Sequence, residues 1–563
     1  MFIRSFLFAL FILPFGLTAE DMPVSSIKPG MQGIWKTVVS GTEIKEFRLE
    51  VLDVLEDFMA PGVPTIFCKA LDPEQIRIGA VSGMSGSPVY IDGKLVGAYA
   101  LGFPFPKDQA LIGVTPIATM LDIYNQEPSK ASGGYAPKRK HIAGQTVSPQ
   151  SWKPTIQLAG VAPSTLEYLN TRVGAFSFES AQLAPKGRSS GDIKTDLAPG
   201  SAVAAVLLGG DFQWAAVGTV TWREGDDLLA FGHPFLGAGK VDLPMAACEV
   251  VVIVQNYMNS FKLSKVGQVV GSIHEDRLTG IAGRLGVNAK TTACRFEVTN
   301  AMGNTRTLTG DLAHQWGESP GIFGGALHAV LTGSMDVEYE QTFFIEATLK
   351  LKGQEPLVFR DVDTGENGIE RLSDRYKARY ELLTENDFEP ADIESATFKI
   401  TLKNAWLHES LHSVTPLDGL LKPGDTLGLA IKTQPFAGAM KLQKVWVPLD
   451  KQVPIEALEV FVGDARSAQK VDSGMAPPKF QSLQGIIDYL RAQKTADQIY
   501  VKLLRKAPGV ASGAESLSGL PPAMLSLMSP KSGEPLDYVT LWETALPVEG
   551  LFTGKNFLEL KTL

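Results

Sequence analysis

One hexapeptide in this chain, Gly83-Met84-Ser85-Gly86-Ser87-Pro88, has residue types and spacing that suit nucleophilic chemistry. A serine becomes a nucleophile when a tight turn exposes its oxygen and aims nearby backbone N–H groups at the carbonyl under attack. Glycines at 83 and 86 permit the positive φ values and close backbone approach that such a turn requires. In this reading Ser85 is the nucleophile, and the backbone N–H groups of Gly83 and Ser85 form the oxyanion hole. Ser87 is a rival by composition only, because it adjoins Pro88 where the turn is structural. A tight β-turn without chemistry is the plainer alternative.

A serine nucleophile needs a base, and the base needs a group that fixes its orientation. No histidine precedes Ser85, the first being His141. The best candidate base is His233 in Ala230-Phe231-Gly232-His233-Pro234, which follows Gly218-Thr219-Val220-Thr221 and a turn at Glu224-Gly225-Asp226. Asp72, shortly before the serine, is the candidate orienter. Each has a plainer reading: His233 as a turn-capping imidazole, Asp72 as a turn residue or helix cap ahead of Pro73. His274-Glu275-Asp276-Arg277 contains a rival base and acid, but an ion-paired surface turn is the preferred reading. His408 and His412 have helical i,i+4 spacing without the glutamate of a zinc peptidase, so no metal is expected there.

With their flanks, these segments resemble the SpoIVB peptidase family. The run from Asp72 to Ser82 leads into the serine turn, and Gly93-Lys94-Leu95-Val96-Gly97-Ala98 leads out of it. That family has a Gly-Met-Ser-Gly-Ser-Pro turn, a Gly-Lys-X-X-Gly-Ala hairpin, an acidic residue before the serine, and a Leu-Gly-His motif after a Gly-Thr-Leu-Thr-like strand. The resemblance implies Ser85 as nucleophile, His233 as base and Asp72 as orienter. In the family the histidine comes first. The order Asp72, Ser85, His233 therefore implies a circularly permuted domain, or a histidine supplied by a different module; triads are defined by geometry and not by chain order.

The resemblance covers about residues 28–125 and 200–290. It implies a mostly β chain whose N-terminal half is a chymotrypsin-like double β-barrel of six-stranded units. It further implies an exported serine endopeptidase that cleaves a protein or peptide substrate, or itself, in the cell envelope, with neither metal nor organic cofactor. The second function class is an inactive peptidase-like scaffold acting as an envelope binding protein.

The elements that must position these residues read as short strands. Phe47 to Leu55 and Thr65 to Cys68 are candidates, and Asp92-Gly93 between Val89-Tyr90-Ile91 and Leu95 to Tyr99 is a hairpin signal. Thr115 to Leu121 reads as a short helix with Thr115 as cap and Pro116 at its first position. Val203 to Val298 is a second β-rich block. Tyr339 to Leu351, Ala396 to Leu402, Leu427 to Ile431 and Leu442 to Leu449 are further strands, with a turn at Pro423-Gly424-Asp425. This spacing suggests β-sandwich-like modules, with one amphipathic helix at Leu483 to Gln493.

These features divide the chain as follows: 1–19 signal peptide; 28–126 serine-bearing segment; 127–199 linker and connecting segment; 200–298 histidine-bearing segment; 299–400 β-rich domain; 401–563 sandwich-like region. A length of 563 residues demands several cores, and 55 Gly with 35 Pro suits many tight turns. A net charge of −9, with Lys138-Arg139-Lys140 as its densest basic run, argues against a nucleic-acid partner.

Arg4, the apolar run Phe6 to Phe15 and Leu17-Thr18-Ala19 form the pattern of a cleavable export signal, which places the mature protein in the periplasm or outside the cell. No later segment suits a membrane span, so no stable insertion is expected after cleavage. Cys68, Cys248 and Cys294 are widely spaced in apolar stretches and read as buried thiols.

Overall fold

Six strands close into a ring within the first hundred described residues. They are β1 (Gln32–Val38), β2 (Ile44–Ala60), β3 (Val63–Ala70), β5 (Ser87–Ile91), β6 (Lys94–Gly102) and β7 (Leu111–Pro116). Helix α1 (Pro73–Ile78) and the two-residue β4 (Val81–Ser82) interrupt them between β3 and β5, and α2 (Ile117–Asn125) follows β7. The ring order is β1-β2-β3-β7-β6-β5, every pairing antiparallel. Its interior holds Trp35, Phe47, Leu49, Ile66, Val89, Tyr99 and Val114. Asp92 and Gly93, both at positive φ, make the expected tight hairpin between β5 and β6. The expected helix at Thr115 starts later: Thr115 and Pro116 belong to β7, where tertiary pairing overrides the local cap signal.

The structure, a computed structural model, describes residues 21–103, 110–125, 156–173, 182–183, 193, 196–255, 260–314, 317–333, 340–365, 367–417, 419–473, 480–512, 515–532 and 534–560. The expected export signal, the basic triplet, His141 and most of the expected linker lie outside these residues. Part of that linker is nevertheless built into the fold. Strand β8 (Ile156–Ala159) pairs with a strand of the second block, α3 (Pro163–Arg172) follows, and β9 (Gln182–Leu183) runs parallel to β8.

The second block is another ring. Strands β10 (Ala202–Leu208), β11 (Gln213–Glu224), β12 (Asp227–Ala230), β13 (Gly239–Val254), β14 (Ser260–Arg277) and β15 (Gly280–Leu285) pair in the order β10-β11-β12-β15-β14-β13, and β13 closes back on β10. Both rings therefore read first, second, third, sixth, fifth, fourth in chain order. They are two six-stranded barrels of one topology.

Two apolar clusters fill the seam between them. In one, Val38 and Ile44 of the first barrel meet Ala204, Val206, Val217, Ala246, Cys248 and Val250 of the second. In the other, Leu95, Ala98, Ile117 and Met120 meet Leu229 and Ala282. Strand β4 adds a parallel pairing across the seam, Val81 opposite Ser260 and Ser82 opposite Phe261.

Residues 299–400 are not an independent β domain. Strands β16 (Thr291–Thr299), β17 (Thr305–Ala313), β18 (Thr342–Leu351), β19 (Leu357–Thr364) and β20 (Ile393–Lys403) run in the order β19-β18-β20-β16-β17, and β17 joins β10 at Leu312 opposite Leu208. Helix α4 (Ser319–Gly333), buried from Ser319 to Leu331, and α5 (Gly368–Thr384) cover this extension.

Beyond it stand two sheets with one shared core. The first comprises β21 (His408–Pro416), β22 (Thr426–Pro435), β23 (Lys441–Pro448) and the later β28 (Leu551–Thr553). The second comprises β24 (Leu458–Gly463), β25 (Gln498–Ser512), β26 (Glu515–Ser518), β27 (Glu534–Pro547) and β29 (Lys555–Glu559). Leu427, Leu429, Ile431 and Val447 pack there with Val460, Val462, Val501 and Leu503, as a sandwich requires.

Where one helix was expected in this region, three are described: α6 (Ala465–Ser473), α7 (Leu483–Arg491) and α8 (Pro522–Ser532). The anticipated one, α7, is capped by the Ser482 hydroxyl and buries Ile486, Ile487 and Leu490. Among the described residues no helix is long and apolar enough to cross a membrane.

Candidate functional site

The serine turn is built as its glycines suggest. Gly83 and Gly86 sit at φ 96° and 94°, in the region that side chains disfavour. Met84 between them is fully buried in the first barrel's core and anchors the turn. Ser87 is sealed at 0% exposure; its N–H and hydroxyl both donate to the Met84 carbonyl oxygen, at 3.0 and 2.6 Å. It is structural. Ser85 is partly exposed, and among the described residues neither its hydroxyl nor its N–H has a hydrogen-bond partner.

The second barrel grips this turn through β11. Thr219 N–H donates to the Ser85 carbonyl oxygen at 2.8 Å, Thr219 Oγ1 to that of Gly83 at 2.9 Å, and Thr221 Oγ1 to that of Gly86 at 2.7 Å. Gly86 has no room for a side chain. A Cβ there would collide with the Thr219 carbonyl oxygen and stand 2.5 Å from Phe231 N.

Gly218 is similarly necessary, since a Cβ would enter the Phe231 ring. Phe231 and Gly232 both take positive φ, 69° and 70°, an unfavourable conformation for a buried aromatic residue. The Gly232 carbonyl oxygen accepts from Thr115 Oγ1 at 2.6 Å. Three segments distant in sequence, 83–88, 218–221 and 231–233, thus converge at the seam. The two loops are also topological counterparts. Each connects the third strand of its barrel to the fourth.

His233 is 4% exposed. Its Nδ1 donates to the Pro234 carbonyl oxygen at 2.8 Å, which leaves Nε2 as the acceptor nitrogen. Burial pulls its pKa below 6.5, against a smaller upward push from the Pro234 carbonyl. The ring is therefore neutral near pH 7, in the tautomer that a base with a free Nε2 needs. No hydrogen bond joins it to Ser85 in this structure.

The expected orienter is not beside the histidine. Asp72 precedes α1 and accepts from the Arg48 backbone N–H and, at 3.1 Å each, from Arg48 Nε and Nη2. Its carboxylate is committed to a half-exposed pair on the first barrel, so nearness to Ser85 in sequence did not translate into contact with His233.

The carboxylate that fixes the histidine loop is Asp276, at the end of β14. Its oxygens accept from Phe235 N–H and Leu236 N–H at 2.7 Å and from Ala238 N–H at 3.2 Å. Burial raises its pKa, and these amides oppose the rise. Residues 274–277 end strand β14 and form no surface turn, although Glu275 and Arg277 do make the anticipated ion pair, at 2.7 Å. That composition concealed the inward residue between them. His274 faces Tyr124, their ring centroids 6.3 Å apart. His408 and His412 lie on strand β21 and on no helix; His408 Nε2 bonds Thr553 Oγ1 at 2.8 Å.

Compared with family models, curated proteins and solved structures, the chain matches none of them.

Proposed function

We propose that the chain is an exported serine endopeptidase of SpoIVB type on a circularly permuted, chymotrypsin-like pair of barrels. The observation that carries this reading is the apposition of two equivalent loops. One presents a partly exposed serine with a free N–H, and the other a neutral histidine with a free acceptor nitrogen. Ser85 Oγ attacks the substrate carbonyl, His233 Nε2 takes its proton and returns it to the leaving amine, and the Ser85 N–H, with that of Gly83, receives the oxyanion. Asp276 takes the place expected of Asp72, acting through the loop backbone and not on the ring. Such hydrogen bonds often tighten only when substrate is bound, which fits the absence of a Ser85–His233 bond here. The substrate is a protein or peptide, or the chain itself, met in the periplasm or outside the cell.

A second reading, an inactive scaffold serving as an envelope binding protein, rests on that same missing bond and on Asp72 being held by Arg48. Cleavage of the chain itself and of an unfolded test protein separates the two readings. Ser85→Ala and His233→Ala should each lower turnover by roughly 10⁴ to 10⁶, with little further loss in the double variant. Unchanged cleavage in both folded single variants would establish the scaffold.

A further inference from the structure

Beneath the serine turn lies a lysine that forms no ion pair with a carboxylate among the described residues. Lys262 is 0% exposed on β14, the position after the Phe261–Ser82 pairing that crosses the seam. Its alkyl chain lies along the turn, so close that a Cβ on Gly83 would stand 3.2 Å from its Cβ and its Cδ. Its Nζ donates to Thr37 Oγ1 of the first barrel at 2.8 Å and to Thr219 Oγ1 of the second at 3.1 Å. Thr219 Oγ1 in turn donates to the Gly83 carbonyl oxygen. One amine therefore ties the two barrels together and, through a single hydroxyl, sets the direction of a peptide carbonyl in the serine turn.

We propose that Lys262 is a positioning residue for Ser85, acting as a proton-sensitive clasp between the two barrels. The proposal rests on the reading of Ser85 as nucleophile. A neutral amine has two N–H bonds to give, and both have acceptors here. Protonation adds a third donor and a full charge in a sealed place, a costly arrangement without a counter-ion. Among the described residues the groups facing the amine are Thr37 from β1, Thr219 from β11 and, from β13, the Cys248 thiol, the titratable one among them, while Gly83 lies against the alkyl chain. Gln157 of β8 binds only the Lys262 main-chain oxygen, at 2.6 Å.

Burial pulls the Lys262 pKa down to about 7, with a small opposing contribution from Cys248. The clasp is thus closed above that pH and strained below it. The unfolded chain keeps its proton up to 10.5, so from about 7 to 10.5 it binds more protons than the folded chain, and stability rises with pH over that window.

The test compares full-length wild type, Lys262→Met and Lys262→Arg. Two quantities are followed against pH: the rate at which a fluorophosphonate modifies Ser85, and the thermal midpoint Tm. Wild-type labelling should fall about tenfold per pH unit below the Lys262 pKa. Lys262→Met should lose that break while staying within about tenfold of wild type in mild alkali. Lys262→Arg, charged throughout, should label at least about tenfold more slowly there. Wild-type Tm should climb from neutral to alkaline pH relative to that of Lys262→Met. An unchanged break in Lys262→Met overturns the proposal, and so does an identical Tm profile in the two proteins. If no protein labels at any pH, the nucleophile reading has failed, and the Tm comparison alone decides the clasp.

Discussion

Thr219 of the second barrel holds Ser85 of the first, its N–H donating to the serine's carbonyl oxygen at 2.8 Å. The same residue bonds Gly83 through its hydroxyl and accepts Phe231 N–H at its carbonyl oxygen, 3.3 Å away. The serine turn and the histidine loop are therefore registered against each other by one residue of β11, and changes at their contact should be felt at both.

Gly86→Ala is the sharpest probe of that contact. It combines a positive φ with collision against the Thr219 backbone, and backbone cannot move aside as a side chain end can. A loss of more than ~3 kcal/mol in denaturant unfolding is expected, among the largest that single substitutions produce. Gly93→Ala, at φ 76° but with open space around it, should cost only the ~1 kcal/mol of left-handed strain.

Asp276 and Asp72 exchange the weights that sequence order suggests. Asp276→Ala leaves Phe235, Leu236 and Ala238 N–H without their acceptor, at about 1–3 kcal/mol for each that stays unsatisfied, and should slow Ser85 labelling by releasing the histidine loop. Asp72→Ala removes a pair whose Arg48 partner is largely exposed, so it should change stability by at most ~1 kcal/mol and labelling hardly at all. Urea unfolding and probe kinetics on the two variants measure both effects.

The three thiols should be silent in the native protein. Cys68, Cys248 and Cys294 are buried and unpaired, and burial pushes each pKa up to about 12. A thiol-reactive chromogenic disulfide should register none of them before denaturation and all three after it.

What could be read in advance was what the backbone demands. Gly83 and Gly86 at positive φ and the Asp92-Gly93 hairpin are glycines and turn residues that the local backbone favours, and that preference shows in the chain itself. What could not be read depends on distant contacts. Asp276 reaches a loop some forty residues earlier, and nothing local separates it from its ion-paired neighbours. Asp72 was placed by proximity in sequence, whereas its partner Arg48 arrives from β2. Alternation along Phe261-Lys262-Leu263 points the lysine outward. It is buried because the outer face of β14 is covered by the other barrel. Thr115 looked like a helix cap and is instead a strand residue whose hydroxyl is used by Gly232.

The account stands most directly on whether Ser85 is activated by His233. The measurement is mass-spectrometric mapping of a fluorophosphonate adduct on native full-length protein, with its rate followed in wild type and in folded His233→Ala. A single adduct is expected on Ser85, none on Ser87, forming in wild type at least ~10² faster than in His233→Ala, the low end of what a positioned base supplies. Failure of the folded wild type to form an adduct on Ser85, or a rate indifferent to His233, would contradict it.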